Sequence, residues 1–208
     1  MELDEQFLKA GQELCREHGS VFICDEIQCG MGRTGNFFAY QRVGLQPDIV
    51  LVAKPLASGL PLAAMLAREE VAQAFHPGMH GTTFGGGPLQ CRLALKFLEI
   101  LQRHEFLEHV RAVGSYFKNQ LLSLQNELPV IRQVRGQGLM IAAELSIPGK
   151  EIVQQGVEAG VLFNCTQEQV LRFLPPLVIQ RQHVDHLIEV LHSILISASR
   201  IETKGVRA

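Results

Sequence analysis

The chain has 208 residues, 47% hydrophobic and 19% charged, with a formal net charge of −2. That balance suits a folded globular protein with ample core, and with no Lys/Arg run it offers no basic stripe for nucleic acid. No apolar stretch reaches the ~18–20 residues of a membrane span, and the acidic, amphipathic start Met1-Glu2-Leu3-Asp4-Glu5 reads as neither secretory signal nor Arg-rich transit peptide.

Leu3, Phe7, Ala10 and Leu14 recur at helical spacing, which predicts an amphipathic helix over 4–18 ended by Gly19. Val21–Cys24, Ile49–Ala53 and Leu62–Leu66 are short apolar runs, expected to be buried strands of a parallel sheet. Two helical stripes follow, Leu89 to Leu101 and Phe106 to Leu121. Strand-like Val130–Val134 and Leu139–Leu145, a helix near 150–159, strand-like Val161–Asn164 and Val170–Leu174, and a last helix over 183–198 complete the order. The expected fold class is α/β: a partial large-domain sheet with helices over residues 1–107, then a small C-terminal α+β domain over 108–208. In such sheets ligands collect beyond the carboxyl ends of the strands.

Asp25 closes the first strand-like run and Lys54 follows the second. A carboxylate there can hold a pyridine nitrogen protonated while an amine condenses with an aldehyde, which is the chemistry of pyridoxal 5′-phosphate (PLP). Each residue has a plainer reading: Asp25 as a turn acceptor, Lys54 as a surface lysine. Ala53 before it and Pro55 after it predict a partly apolar setting for the Lys54 stem, and burial there would favour the neutral amine. Gly30-Met31-Gly32-Arg33-Thr34-Gly35 fits the dinucleotide fingerprint on paper, but five residues separate it from the strand and no crossover helix follows. It is read as a turn-rich loop.

Thr82-Thr83 before Gly85-Gly86-Gly87-Pro88 reads either as a hydroxyl-capped turn or as an anion site at a helix start. Arg172, in the apolar run Val170–Leu174, is either an ion-pair partner or a fork for a carboxylate. Arg135 is expected to anchor the turn Arg135-Gly136-Gln137-Gly138, and Glu26 to be a salt bridge or a cofactor contact. His183 and His186, with Asp185 between them, open the last helix; no further ligand is apparent and they read as solvated, so no metal is expected. Cys15, Cys24, Cys29, Cys91 and Cys165 show no C-x-x-C pair and read as reduced thiols of a cytoplasmic protein.

Phe22-Ile23-Cys24-Asp25-Glu26-Ile27-Gln28-Cys29-Gly30-Met31-Gly32-Arg33-Thr34-Gly35, Ala53-Lys54-Pro55-Leu56-Ala57-Ser58-Gly59-Leu60-Pro61, His80–Pro88, Val134–Met140 and Val170–Pro176 together resemble the class III aminotransferases. Within that family the chain is most similar to the acetylornithine aminotransferases, from about residue 3 to about residue 196. The resemblance implies a fold type I, PLP-dependent transferase. Lys54 would be the Schiff-base lysine and proton shuttle, Asp25 the partner of the pyridine nitrogen, and Gln28 the contact of the phenolic oxygen. Thr83 would reach the phosphate of PLP held by a neighbouring subunit, which implies a homodimer with shared sites. Thr82 would lie beside substrate, and Arg172 would hold the α-carboxylate of glutamate or 2-oxoglutarate. The implied reaction moves the δ-amino group of N2-acetylornithine to 2-oxoglutarate, in arginine biosynthesis. Ornithine or 4-aminobutyrate aminotransferase is the neighbouring reading.

The chain departs from the family at its front, where a Gly-rich phosphate loop, a ring-stacking aromatic and a distal substrate arginine are expected and absent. It therefore reads as a C-terminal fragment, with a non-catalytic remnant or assembly subunit as the alternative. Ser58 stands where the family pattern often has glycine.

Overall fold

A computed structural model describes residues 2–205, with the side chains of 199–205 left aside. The chain forms two compact units, one ending at Glu108 and the other beginning at His109.

The first unit opens with helix α1 (Glu5–Glu17). Asp4 caps it, its Oδ1 accepting the N–H groups of Gln6 at 2.8 Å and Phe7 at 3.2 Å, which supplies two of the amides a helix start leaves unpaired. The polar side of α1 faces the rest of the unit: Arg42 pairs with Glu5 at 2.6 Å and the Gln46 N–H donates to Gln12 Oε1. Its apolar residues point out, with Phe7 64% and Leu14 56% exposed.

Strand β1 (Ile23–Asp25) pairs in parallel with β2 (Ile49–Val52), in the register Ile23↔Ile49, Cys24↔Val50, Asp25↔Leu51. Strand β3 (Ala64–Ala67) lies on the other side of β2 and is antiparallel to it. The expectation of buried parallel strands therefore fails at β3, where Met65 and Leu66 are nearly half exposed. The physical cause is the link: a 3-10 turn at Lys54–Ala57 reverses the chain at short range, whereas a parallel return needs a crossover of a dozen or more residues. A single helical turn, α2 (Glu69–Ala72), and helix α3 (Pro88–Leu101) follow. Pro88 stands at the first helical turn, where its missing N–H costs nothing. The core of this unit is Met31, Val50, Val52, Leu56, Ala94 and Leu101, flanked by Phe37, Phe38, Tyr40 and Phe97.

The second unit is built on helix α4 (His104–Glu127), strands β4 (Ile131–Gln137) and β5 (Met140–Leu145), helix α5 (Lys150–Glu158), strands β6 (Asn164–Thr166) and β7 (Val170–Phe173), and helix α6 (Arg181–Gly205). Its four strands are antiparallel in the order β4-β5-β7-β6. Strand β5 alternates, with Ile141, Ala143 and Leu145 buried, as one covered sheet face requires. Helix α4 contributes Val110, Val113, Phe117, Leu121 and Leu124, and α6 contributes Val184, Leu187, Leu191, Ile194 and Leu195. The rings of Phe117 and Phe173 meet edge-on at 5.3 Å. Strand β6 starts three residues later than expected, because the chain after α5 turns through Gly160 (φ 78°) and leaves Leu162 84% exposed before pairing starts at Asn164, whereas β7 starts at Val170 as expected.

Candidate active site

Parallel pairing sets Asp25 opposite Leu51 at the carboxyl end of β1. The Glu26 N–H donates to Leu51 O at 2.9 Å and carries the pairing one residue past Asp25. Beyond that point β1 breaks into a turn, because Asp25 Oδ1 accepts the Ile27 N–H at 3.0 Å and the Gly30 N–H returns to Glu26 O at 3.0 Å. Asp25 is exposed, and its second carboxylate oxygen accepts no hydrogen bond among the described residues. Gln28, in the same turn, is exposed too.

Lys54 follows the end of β2 at the first position of the 3-10 turn. Its backbone is left-handed, φ 49°, a conformation that costs a residue with a Cβ roughly 1–2 kcal/mol. Outliers of this kind gather at functional sites, and here the direction of inference is from the outlier to a role. The Lys54 side chain is exposed and makes no ion pair among the described residues. The apolar setting expected for its stem is not supplied by the described residues. Four residues on, Ser58 caps the turn at φ 51°, ψ 39°, again left-handed.

Glu26 is the residue whose role the sequence did not reveal. It is 3% exposed, the single buried charged residue found among those described. Its Oε1 accepts the Tyr40 N–H at 2.8 Å and its Oε2 the Ala39 N–H at 2.9 Å, at the start of the 3-10 turn Ala39–Arg42. The Cys29 thiol donates to the same Oε2 at 3.4 Å. A signal was present: successive residues of a strand face opposite ways, so an exposed Asp25 sends its neighbour inward. Burial, with the Glu26 charge second, pushes the Cys24 thiol up to about 11 and the Cys29 thiol up to about 12. The same two causes raise Tyr40 above the ordinary phenol range.

The glycine motif is a loop of turns, as its spacing predicts. Met31 (φ 55°), Gly32 (φ 87°) and Gly35 (φ 88°) are all left-handed, and the Gly32 N–H donates to Phe37 O at 3.2 Å. Thr82 and Thr83 lie on an exposed segment before α3, where Gly86 (φ 69°) makes the last turn and Gly87 caps the helix. No hydrogen bond links them to the end of β1 or β2 among the described residues.

In the second unit, Arg172 occupies β7 between Ala142 of β5 and Asn164 of β6. Its Nε is buried and has no hydrogen-bond partner among the described residues. Among the described residues no carboxylate supports the ion-pair reading of Arg172, and a buried donor of this kind is costly until something accepts from it. Arg135 does pair, with Glu144 at 2.6 Å and with Gln133 at 3.0 Å. It joins the strands of the β4–β5 hairpin instead of anchoring the turn. At the start of α6, His183 Nδ1 accepts the Gln180 N–H at 3.1 Å and Asp185 accepts from the Tyr116 hydroxyl.

Residues 1–195 match the family described as aminotransferase class-III. The chain belongs to the class III aminotransferases. It is 48% identical over 194 residues to the acetylornithine aminotransferase of Aquifex aeolicus, covering 93% of this chain and 50% of the relative. To the acetylornithine aminotransferase of Methanocaldococcus jannaschii it is 46% identical over 191 residues, covering 92% and 48%. Among solved structures, the N-acetylornithine aminotransferase of Stenotrophomonas maltophilia superposes with TM-score 0.87 at 32% identity, covering 97% of this chain and 54% of that one. The ornithine aminotransferase of Toxoplasma gondii superposes with TM-score 0.87 at 33% identity, covering 93% and 47%. The fold is the fold type I architecture of these enzymes. The chain spans about half the length of the curated relatives it matches.

Proposed function

We propose that this class III chain carries the lysine side of a PLP-dependent aminotransferase site, acting on an ω-amino donor and a 2-oxo acid. The observation that carries this reading is the end of the β1–β2 pair, where the exposed Asp25 carboxylate and the left-handed, exposed Lys54 follow adjacent parallel strands. These residues fit the cofactor: an open carboxylate oxygen can face a pyridinium nitrogen, and an exposed amine can reach an aldehyde. When bound, PLP supplies the electron sink that lets a substrate Cα–H ionise. Asp25 would keep the ring nitrogen protonated, since a nearby anion favours the charged form. Gln28 would donate to the ring oxygen. Lys54 Nζ would take the Cα proton and return it on the far carbon as general base, then general acid.

Arg172 would grip the α-carboxylate of glutamate or 2-oxoglutarate, and its unsatisfied Nε supports that role. Thr83 would contact phosphate across a homodimer and Thr82 would lie beside substrate, which suits their exposure. In this reading residues 1–107 are the back of the PLP-binding large domain and 108–208 the small domain. The named relatives favour N2-acetylornithine as donor, in arginine biosynthesis, with ornithine as the second reading because the Toxoplasma gondii neighbour carries that name. No described helix is long and apolar enough to cross a membrane, and a cytoplasmic setting is part of the proposal.

Reductive trapping tests it. The chain is incubated with PLP, reduced with borohydride and mapped by peptide mass. Selective labelling of Lys54, lost in Lys54→Ala, is the expected result; a folded chain without that label overturns independent cofactor binding.

A further inference from the structure

We infer that Glu26 is a positioning residue for Asp25: its buried carboxylate ties the turn that presents Asp25 to the backbone of Ala39 and Tyr40. The inference rests on the reading of Asp25 given above, and it assigns a task to the residue beside it.

Burying a carboxylate is unfavourable unless hydrogen bonds replace water. Glu26 has those bonds, and they come from two separate pieces of chain. Its side-chain oxygens accept the Ala39 and Tyr40 amides at 2.9 and 2.8 Å and the Cys29 thiol at 3.4 Å. Its own N–H is held by Leu51 O on β2, and its carbonyl by the Gly30 N–H. Gly30 packs directly on it, since a Cβ at Gly30 would lie 2.8 Å from Glu26 Cβ and Oε2. Backbone and side chain of Glu26 are thus fixed from both ends of the loop 27–38, whose base the carboxylate closes. Asp25 O, 3.5 Å from Cys29 Sγ, is the alternative acceptor for that single S–H, so the same cluster reaches back to Asp25 itself. Charge-assisted bonds to backbone amides are the stronger class, which suits a clamp that must hold one direction of one neighbouring side chain.

A simple cap would fix only the Ala39–Arg42 turn. A positioning clamp also holds the Asp25 turn, whose reporter is the Ile27 amide bonded to Asp25 Oδ1. Residue-resolved amide hydrogen exchange on the full chain separates the two. Glu26→Gln replaces one acceptor by an NH2 that faces donors. It is expected to speed exchange about tenfold or more at Ala39, Tyr40, Ile27 and Gly30 together. Faster exchange at Ala39 and Tyr40 alone, or no change at all four, overturns the inference. Should Glu26→Gln fail to fold, native-state exchange of the unaltered chain in dilute denaturant decides. One shared opening for the four amides is the expected result, and an independent, easier opening at Ile27 overturns it. Reductive labelling of Lys54 on the same preparation is read separately: its failure would remove the cofactor reading while leaving the exchange result for Glu26 intact.

Discussion

A Cβ placed on Gly114 in α4 would overlap the carbonyl of Gly138, with the carbonyl carbon 2.5 Å and the Cα 2.8 Å away. The hairpin turn between β4 and β5, left-handed at Gly138 (φ 53°) and preceded by Gly136 (φ 129°) in β4, therefore seats its backbone directly on the helix. Gly114→Ala gains about 1 kcal/mol of helix propensity but must push rigid backbone away, and the second effect wins. The expected outcome is a net loss of about 2–4 kcal/mol in urea unfolding. An unchanged midpoint would mean that the hairpin can lift from α4 freely.

Arg172 carries the opposite expectation. Its buried, unpartnered Nε burdens the fold, so Arg172→Met, which keeps length and removes the donor, should leave stability unchanged or raise it by about 1 kcal/mol. Loss of more than that on unfolding would reveal a partner for the guanidinium. In the proposed enzyme the same substitution should weaken the dicarboxylic substrate by raising KM, a trade of stability for function.

Cys24 and Cys29, at about 11 and about 12, should be poor nucleophiles. At pH 8 their thiolate fractions are on the order of one in a thousand or less, so alkylation should wait for unfolding. The sign of the pH effect follows. A thiol whose folded pKa is raised adds stability below its unfolded value, 9.0, and loses that contribution as pH climbs through about 11. The unfolding midpoint should fall between pH 8.5 and 10.5, and fall less in a Cys24→Ala/Cys29→Ala variant. Equal slopes would place the effect on other groups.

Ser58 holds a left-handed backbone that glycine adopts freely. Ser58→Gly relieves roughly 1–2 kcal/mol of strain against a larger unfolded-state entropy of about 0.5–1 kcal/mol. A net gain of about 0.5 kcal/mol in thermal unfolding is expected, and a loss would show that the serine hydroxyl contributes more than the strain costs.

The long periodic segments were legible because one covered face imposes its spacing on the chain. The stripe through Val110, Val113, Phe117 and Leu121 in α4 and the alternation of Ile141, Ala143 and Leu145 in β5 are of this kind. The placement of an acid and a lysine at the ends of β1 and β2 was legible too, since Asp25 and Lys54 each follow an apolar run. Features decided by partners distant in sequence were not. The antiparallel return of β3 depends on a 3-10 turn only four residues long, too short for any period. The inward course of Glu26 depends on amides at Ala39 and Tyr40, and the exposure of Lys54 on which atoms cover it. Arg135 was assigned to its own turn because Glu144, its partner, lies on the next strand.

The β1–β2 pair and the β4–β5 hairpin also differ in how far apart their paired residues lie in sequence. Ile23 and Ile49, neighbours in β1 and β2, are separated by 49 − 23 = 26 positions, whereas Gln137 and Met140 meet across the β4–β5 turn after 140 − 137 = 3. Closing the wider loop costs more chain entropy before any contact repays it. The β1–β2 pair is thus slower to zip than the β4–β5 hairpin, and the Asp25–Lys54 end takes shape only once the whole span from β1 to β2 has been made.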